Sequence, residues 1–202
     1  MRKLLLGIFL TATLMADAQE LPKAYNQLIK EVEAPMIQWR RHFHEFPELS
    51  NRETNTGKYI ADFLKTLPNV EVRYPVAKTG VVAVLKGGKP GATIALRADI
   101  DALPVYERTP VPFASKVTTE FNGQKVNVMH ACGHDSHTAM LMATAKVLST
   151  LQKDLPGTVV FLFQPAEEGP PANEEGGAPL MIKEGALDNP KVEAVYGIHI
   201  SS

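Results

Sequence analysis

Metal-ligating residue types fall at four places in this 202-residue chain: Asp99 and Asp101; His130, Cys132, His134, Asp135 and His137; Glu167 and Glu168; and His199. Cys132 and His134 are separated only by Gly133, a spacing that brings both to one ion if the backbone turns sharply there. Cys132 is the single cysteine, so it closes no internal disulfide and acts as a thiol, a ligand or an intermolecular partner. Ligation would also keep the sulfur deprotonated and protected. If the backbone is still extended at Glu167 and Glu168, their side chains point in opposite directions. One carboxylate can then hold metal while the other faces substrate, the division that metal-assisted hydrolysis requires. Asp99 and Asp101, two apart at a strand end, share a face and can ligate metal or orient a ligand histidine. Taken singly, each signal has an ordinary structural use, as a buried thiol, a solvated glutamate pair, a core histidine or a loop cap. Their joint placement carries the argument.

Three of the four places follow predicted strands, and the fourth opens a predicted helix. Spacing predicts a helix from Glu20 to Phe46 that Pro35 breaks or kinks. Ser50 and Glu53 form a capping-box pattern before a second helix bearing Ile60, Phe63, Leu64 and Leu67, which Pro68 and Asn69 stop. Val70, Val72 and Tyr74 alternate as a strand. Val81–Leu85 and Thr93–Leu96 read as strands joined by the hairpin-type connection 87–91. Residues 102–128 read as irregular, and Gly133–Leu151 as a helix with Leu141, Ala145, Leu148 and Leu151 on one face. Thr158–Phe163 is a buried central strand, Gly169–Gly177 a loop, Ala178–Glu184 a short helix, and Val192–Ile200 another buried strand. Strands alternating with helices imply an α/β fold with a mixed sheet. Ligands of such sheets bind at the carboxyl ends of the strands, where the four places converge on one site.

Composition bounds the alternatives. With 21 basic against 22 acidic residues, a net charge of −1 and 45% apolar content, the chain is globular and lacks the basic stripe of a nucleic-acid partner. There is no Gly-x-Ser-x-Gly elbow, no Gly-x-Gly-x-x-Gly, no phosphate-binding loop and no His-Glu-x-x-His. These absences set aside serine hydrolases, dinucleotide enzymes and helix-borne zinc proteases. Met1-Arg2-Lys3, the apolar run Leu4–Leu14 and Ala16-Asp17-Ala18 read as a signal peptide over 1–18. The mature chain is then 19–202, exported to a periplasmic or secreted location, with no membrane partner after cleavage.

Five segments in order, RRHFHEFPELS at 40–50, ALRADIDALPV at 95–105, MHACGHDSHTAML at 129–141, FQPAEEG at 163–169 and GIHI at 197–200, resemble the metal-dependent amidohydrolases of the aminoacylase/carboxypeptidase superfamily. That group includes hippurate hydrolases and indole-acetyl-amino-acid conjugate hydrolases. The resemblance implies a three-layer α/β/α, zinc-peptidase-like catalytic domain, incomplete at the C-terminus of this chain. It implies two divalent ions (Zn, Mn or Co), with Cys132 bridging, His134 and Glu168 on one ion, and His199 on the other. Glu167 would be the general base, and Asp99 and Asp101 would stand behind the ligands and orient them. His137 lies near the site without an assigned role. The loop from Pro170 to Glu175 looks longer than the family's usual one. The implied substrate is an N-acyl amino acid. The alternatives are a dipeptidase or carboxypeptidase of the same superfamily, and an inactive metal-binding fragment. The resemblance also implies a final ligand histidine and a lid domain, the route to a homodimer, beyond Ser202.

Overall fold

The computed structural model describes residues 23–200; the expected signal peptide at 1–18 lies outside them. Elements follow in the order α1 (Lys23–Glu45), α2 (Thr54–Lys65), β1 (Val70–Val76), β2 (Gly80–Lys86), β3 (Lys89–Asp99), β4 (Thr118–Phe121), β5 (Gln124–Asn127), α3 (His134–Thr150), β6 (Pro156–Gln164), α4 (Gly177–Lys183) and β7 (Ala194–Gly197). Five strands form a mixed sheet in the order β1-β2-β6-β3-β7, in which β6, β3 and β7 run parallel and β2 runs antiparallel to both of its neighbours, β1 and β6.

Alternation along the strands fills both faces. Val81, Ala83, Leu85, Val159, Phe161 and Phe163 meet Phe43, Ile60, Leu64 and Met142 from the three longer helices. Val82, Val160 and Leu162 face the other way, against Leu180 and Met181 of α4. The architecture is the expected three-layer α/β/α arrangement. Gly57, in the first turn of α2, allows close approach, because a Cβ there would lie 2.0 Å from the Thr79 carbonyl oxygen.

Five local expectations are corrected. Helix α1 continues through Pro35, which costs it one backbone hydrogen bond without ending it. The connection 87–91 is not a hairpin, because β6 lies between β2 and β3. Gly87 N donates to Gly157 O at 2.8 Å and Gly88 N to Gln152 O at 2.7 Å, so the segment crosses over the start of the inserted strand. No capping box forms. Glu48 takes the α2 donors instead, accepting from Asn55 N at 3.2 Å and Thr56 N at 2.8 Å. Residues 102–128 contain the hairpin β4–β5, turned by Asn122-Gly123 at positive φ (51° and 74°). Finally, β7 is a short edge strand, paired among the described residues only with β3, and Val195, Tyr196, Ile198 and Ile200 are exposed. An apolar run marks side chains suited to burial but does not state which neighbour covers them.

Candidate metal centre

Because β3, β6 and β7 are parallel, their carboxyl ends share one edge of the sheet, and α3 begins beside it. The strand ends deliver Asp99, the Glu167-Glu168 turn and His199, while the start of α3 delivers His134. Gly133 makes the sharp turn between Cys132 and His134 at φ +81°, and a Cβ there would lie 2.7 Å from Ile200 Cγ2.

Six of the seven singled-out side chains face one volume. His134 Nε2 lies 3.4 Å from His199 Nε2, 3.6 Å from Glu167 Oε2, 3.7 Å from Glu168 Oε1 and 3.7 Å from Asp99 Oδ2. Cys132 Sγ is 3.8 Å from His199 Nε2, and Cys132, His134 and Glu168 offer ligand atoms within 4.8 Å of one another. The seventh, Asp101, stands behind His134: its backbone oxygen is 2.8 Å and its Oδ1 3.2 Å from His134 Nδ1. His199 Nδ1 is likewise turned to Ile200 O at 2.6 Å. With Nδ1–H donating in both rings, both Nε2 lone pairs are left for a cation, as in metal sites whose histidines are held from behind.

The glutamate pair departs from the expected geometry. The chain turns at Ala166, φ +48°, rather than staying extended, so both carboxylates point toward His134 and alternation does not separate them. Asp99 also differs from expectation by facing the cluster, not standing behind it. Its buried Oδ2 is ion-paired with Arg97, 2.9 Å from Nη1, and lies 3.7 Å from His199 Nε2. His137 is committed elsewhere, with Nδ1 2.6 Å from Asp99 Oδ1 and Nε2 accepting from Ile200 N at 3.1 Å. It ties the end of β7 to the start of α3.

The electrostatics fit a cation. Burial, and then the neighbouring Glu168, Glu167 and Asp99 carboxylates, push the Cys132 thiol up to about 11. Burial opposes protonation of His134, but its bond to Asp101 and the charges of Asp99 and Asp101 prevail and raise its pKa. Burial likewise works against ionised Asp101, yet bonds from His134, Ser50 Oγ and Glu168 N hold its pKa below the ordinary value. Soft and hard donors crowded around two outward-facing histidine Nε2 atoms suit divalent ions.

Several supporting residues were not placed at the site by sequence reasoning. Ser50 Oγ donates to Asp101 Oδ2 at 2.7 Å, and Glu53, wholly buried, accepts from Ala166 N at 2.8 Å and Thr79 Oγ1 at 2.6 Å. Burial pushes the Glu53 carboxyl up to about 7 despite those two bonds. His44 lies 2.8 Å from both Asp135 and Glu107, and Arg40 Nε is 2.8 Å from Asp135, so α1 is strapped to the first turn of α3. The bond to Asp135, opposed by burial and aided by Glu107, raises the His44 pKa. The loop after the glutamates is pinned through Glu174, which accepts from Arg52 and Lys78, each at 2.6 Å, and from Asn51 at 3.0 Å. Beside it a cleft of about 580 Å³ opens, lined by Arg97, Gln164, Glu167, Gly177 and Lys183.

The sequence profile of peptidase family M20/M25/M40 matches residues 95–202, more than half of the chain and all of the candidate ligand positions. The chain belongs to this family. It is 44% identical over 177 residues to an N-acyl-L-amino acid amidohydrolase of Geobacillus stearothermophilus, covering 88% of this chain and 44% of that protein. It is 47% identical over 175 residues to thermostable carboxypeptidase 1 of Saccharolobus solfataricus, covering 86% and 41%. A crystal structure of a Bacillus subtilis protein described as a dinuclear metal binding peptidase from the M20 family superposes with a TM-score of 0.73 at 43% identity, covering 85% of this chain and 44% of that one. The chain therefore spans under half the length of the M20 relatives it matches, and its α/β fold is theirs.

Proposed function

We propose that the protein carrying this chain is an exported, metal-dependent hydrolase that cleaves the amide bond of N-acyl amino acids, and that residues 19–202 form part of its catalytic domain. The observation that carries this reading is the convergence of two free histidine Nε2 atoms, 3.4 Å apart, with Cys132 and the Glu167 and Glu168 carboxylates around them. Cys132, His134 and Glu168 would hold one ion. His199 and Asp99 Oδ2 would hold the other, with the Cys132 thiolate placed to serve both. Two bound divalent ions would supply acidification of a water and polarisation of the scissile carbonyl. Glu167 Oε2 takes the proton of the attacking water as the O–C bond forms, and returns it to the leaving amine as the C–N bond breaks. Glu168 is assigned to ligation by the resemblance, and its backbone amide donates to Asp101 Oδ2 at 3.0 Å, beside the ligand histidine that Asp101 orients. Similarity to the Geobacillus amidohydrolase supports the N-acyl amino acid substrate.

Similarity to the Saccharolobus carboxypeptidase favours a second reading, release of carboxy-terminal residues from peptides. Steady-state kinetics of the complete gene product on N-acetyl and N-benzoyl amino acids against dipeptides separates the two. Higher kcat/KM on the N-acyl amino acids is expected; turnover of dipeptides alone would replace the first reading with the second, and bound metal without hydrolysis of either would refute both.

A further inference from the structure

We propose that Glu53 is a positioning residue for this site: from the N-terminus of α2, its carboxylate holds the left-handed turn at Ala166 that aims Glu167 and Glu168 at His134. The proposal rests on the function proposed above. Strand β6 ends at Gln164, and Pro165 has no N–H, so Ala166 N is the first free donor after the ladder. That donor goes to Glu53 Oε1 at 2.8 Å. Two residues on, Glu168 N donates to Asp101 Oδ2 at 3.0 Å. The turn is thus clamped at both ends by buried carboxylates, with Glu167 between them. Alanine does not favour φ +48°, and such a conformation persists only where surrounding contacts dictate it.

Glu53 is itself fixed. Its other oxygen accepts from Thr79 Oγ1 at 2.6 Å, just before β2, and Gly57 presses the first turn of α2 onto the Thr79 carbonyl. The side chain makes no capping bond to its own helix, where Glu48 does that work. An acid buried here is a poor choice for packing alone, because removing a carboxylate from water is costly. The matched donors at Ala166 and Thr79 explain its presence.

The test uses the complete gene product and compares Glu53→Ala, Glu53→Asp and Glu53→Gln with the parent. Glutamine can accept from Ala166 N and donate to the Thr79 hydroxyl, so Glu53→Gln should keep kcat within about threefold. Glu53→Ala should lower kcat by about 10²-fold, the scale of an ångström-sized misplacement, with KM little changed. The visible spectrum of the Co²⁺-loaded alanine variant should shift, and that of the glutamine variant should match the parent. If the alanine variant does not fold, the shorter aspartate, unable to span both donors, should lose about tenfold in kcat. Parent-like kcat and spectrum in a folded alanine or aspartate variant would overturn the proposal, as would a glutamine variant as impaired as alanine. A parent inactive on every N-acyl amino acid would refute the functional reading instead, and the Co²⁺ spectra would still decide the positioning role.

Discussion

Burial of Glu53 makes a quantitative prediction about stability. Its carboxyl, ordinarily near 4.5, sits at about 7 in the fold because it is wholly desolvated. A raised folded-state pKa means that the folded protein holds a proton the unfolded chain releases. The stability tied to the protonated acid is fully present below pH 4.5 and is lost as pH rises through about 7. At about 1.4 kcal/mol for each pH unit, the whole effect is about 3 kcal/mol, of which about 2 kcal/mol falls between pH 5 and pH 8. Glu53→Gln removes the ionisation while keeping the shape and the two hydrogen bonds. Urea unfolding of parent and variant at several pH values, with chelator present to remove metal linkage, isolates this group as a difference. The variant should gain about 2 kcal/mol relative to the parent between pH 5 and pH 8. A difference that stays flat with pH, or that grows toward acid, would refute the claim that Glu53 is a desolvated acid.

Three further outcomes follow from the same geometry. Glu167→Gln should abolish hydrolysis, by about 10³-fold or more, while equilibrium dialysis still finds metal bound; loss of metal would show that Glu167, not Glu168, is the ligand. Cys132→Ser should weaken metal binding, read by competition with a chromogenic chelator, and unchanged affinity would contradict the thiolate ligand. His44→Ala leaves Asp135 and Glu107 buried without the imidazolium between them and should cost about 3 kcal/mol of stability. For the parent, the raised His44 pKa means that this contribution is whole below about pH 6.5 and is lost as pH rises past its folded value, so the cost of His44→Ala should shrink in alkali.

What could be read from the sequence depended on whether the signal was local. Thr158–Phe163 showed itself as a central strand because six consecutive strand-forming residues suit a strand covered on both faces. Its insertion between β2 and β3 was hidden, since the glycines at 87 and 88 fit a hairpin and a crossover equally well. Pro35 looked like a break or a kink, and the helix is not broken there, because sequence counts the lost hydrogen bond and not the packing of α1 on α3. The candidate ligand positions were legible as residue types at strand ends and at the start of a helix, and parallel pairing brings those strand ends together. Glu53 was misread because Ser-x-x-Glu matches a capping box, while its partners at Thr79 and Ala166 are 26 and 113 residues away. Asp99 was expected behind the ligands and His137 was left without a role for the same reason: which nitrogen or oxygen is already occupied depends on contacts that spacing does not encode.

The central claim, that these side chains assemble a dinuclear hydrolytic site, is tested most directly by counting metal against turnover. The complete gene product, stripped with chelator and titrated with Zn²⁺, Mn²⁺ or Co²⁺, should be inactive on N-acetyl amino acids when metal-free and reach full activity at about two equivalents per chain, in line with a two-metal site. Hydrolysis that survives complete metal removal, or two tightly bound equivalents with no hydrolysis of any amide substrate, would contradict it.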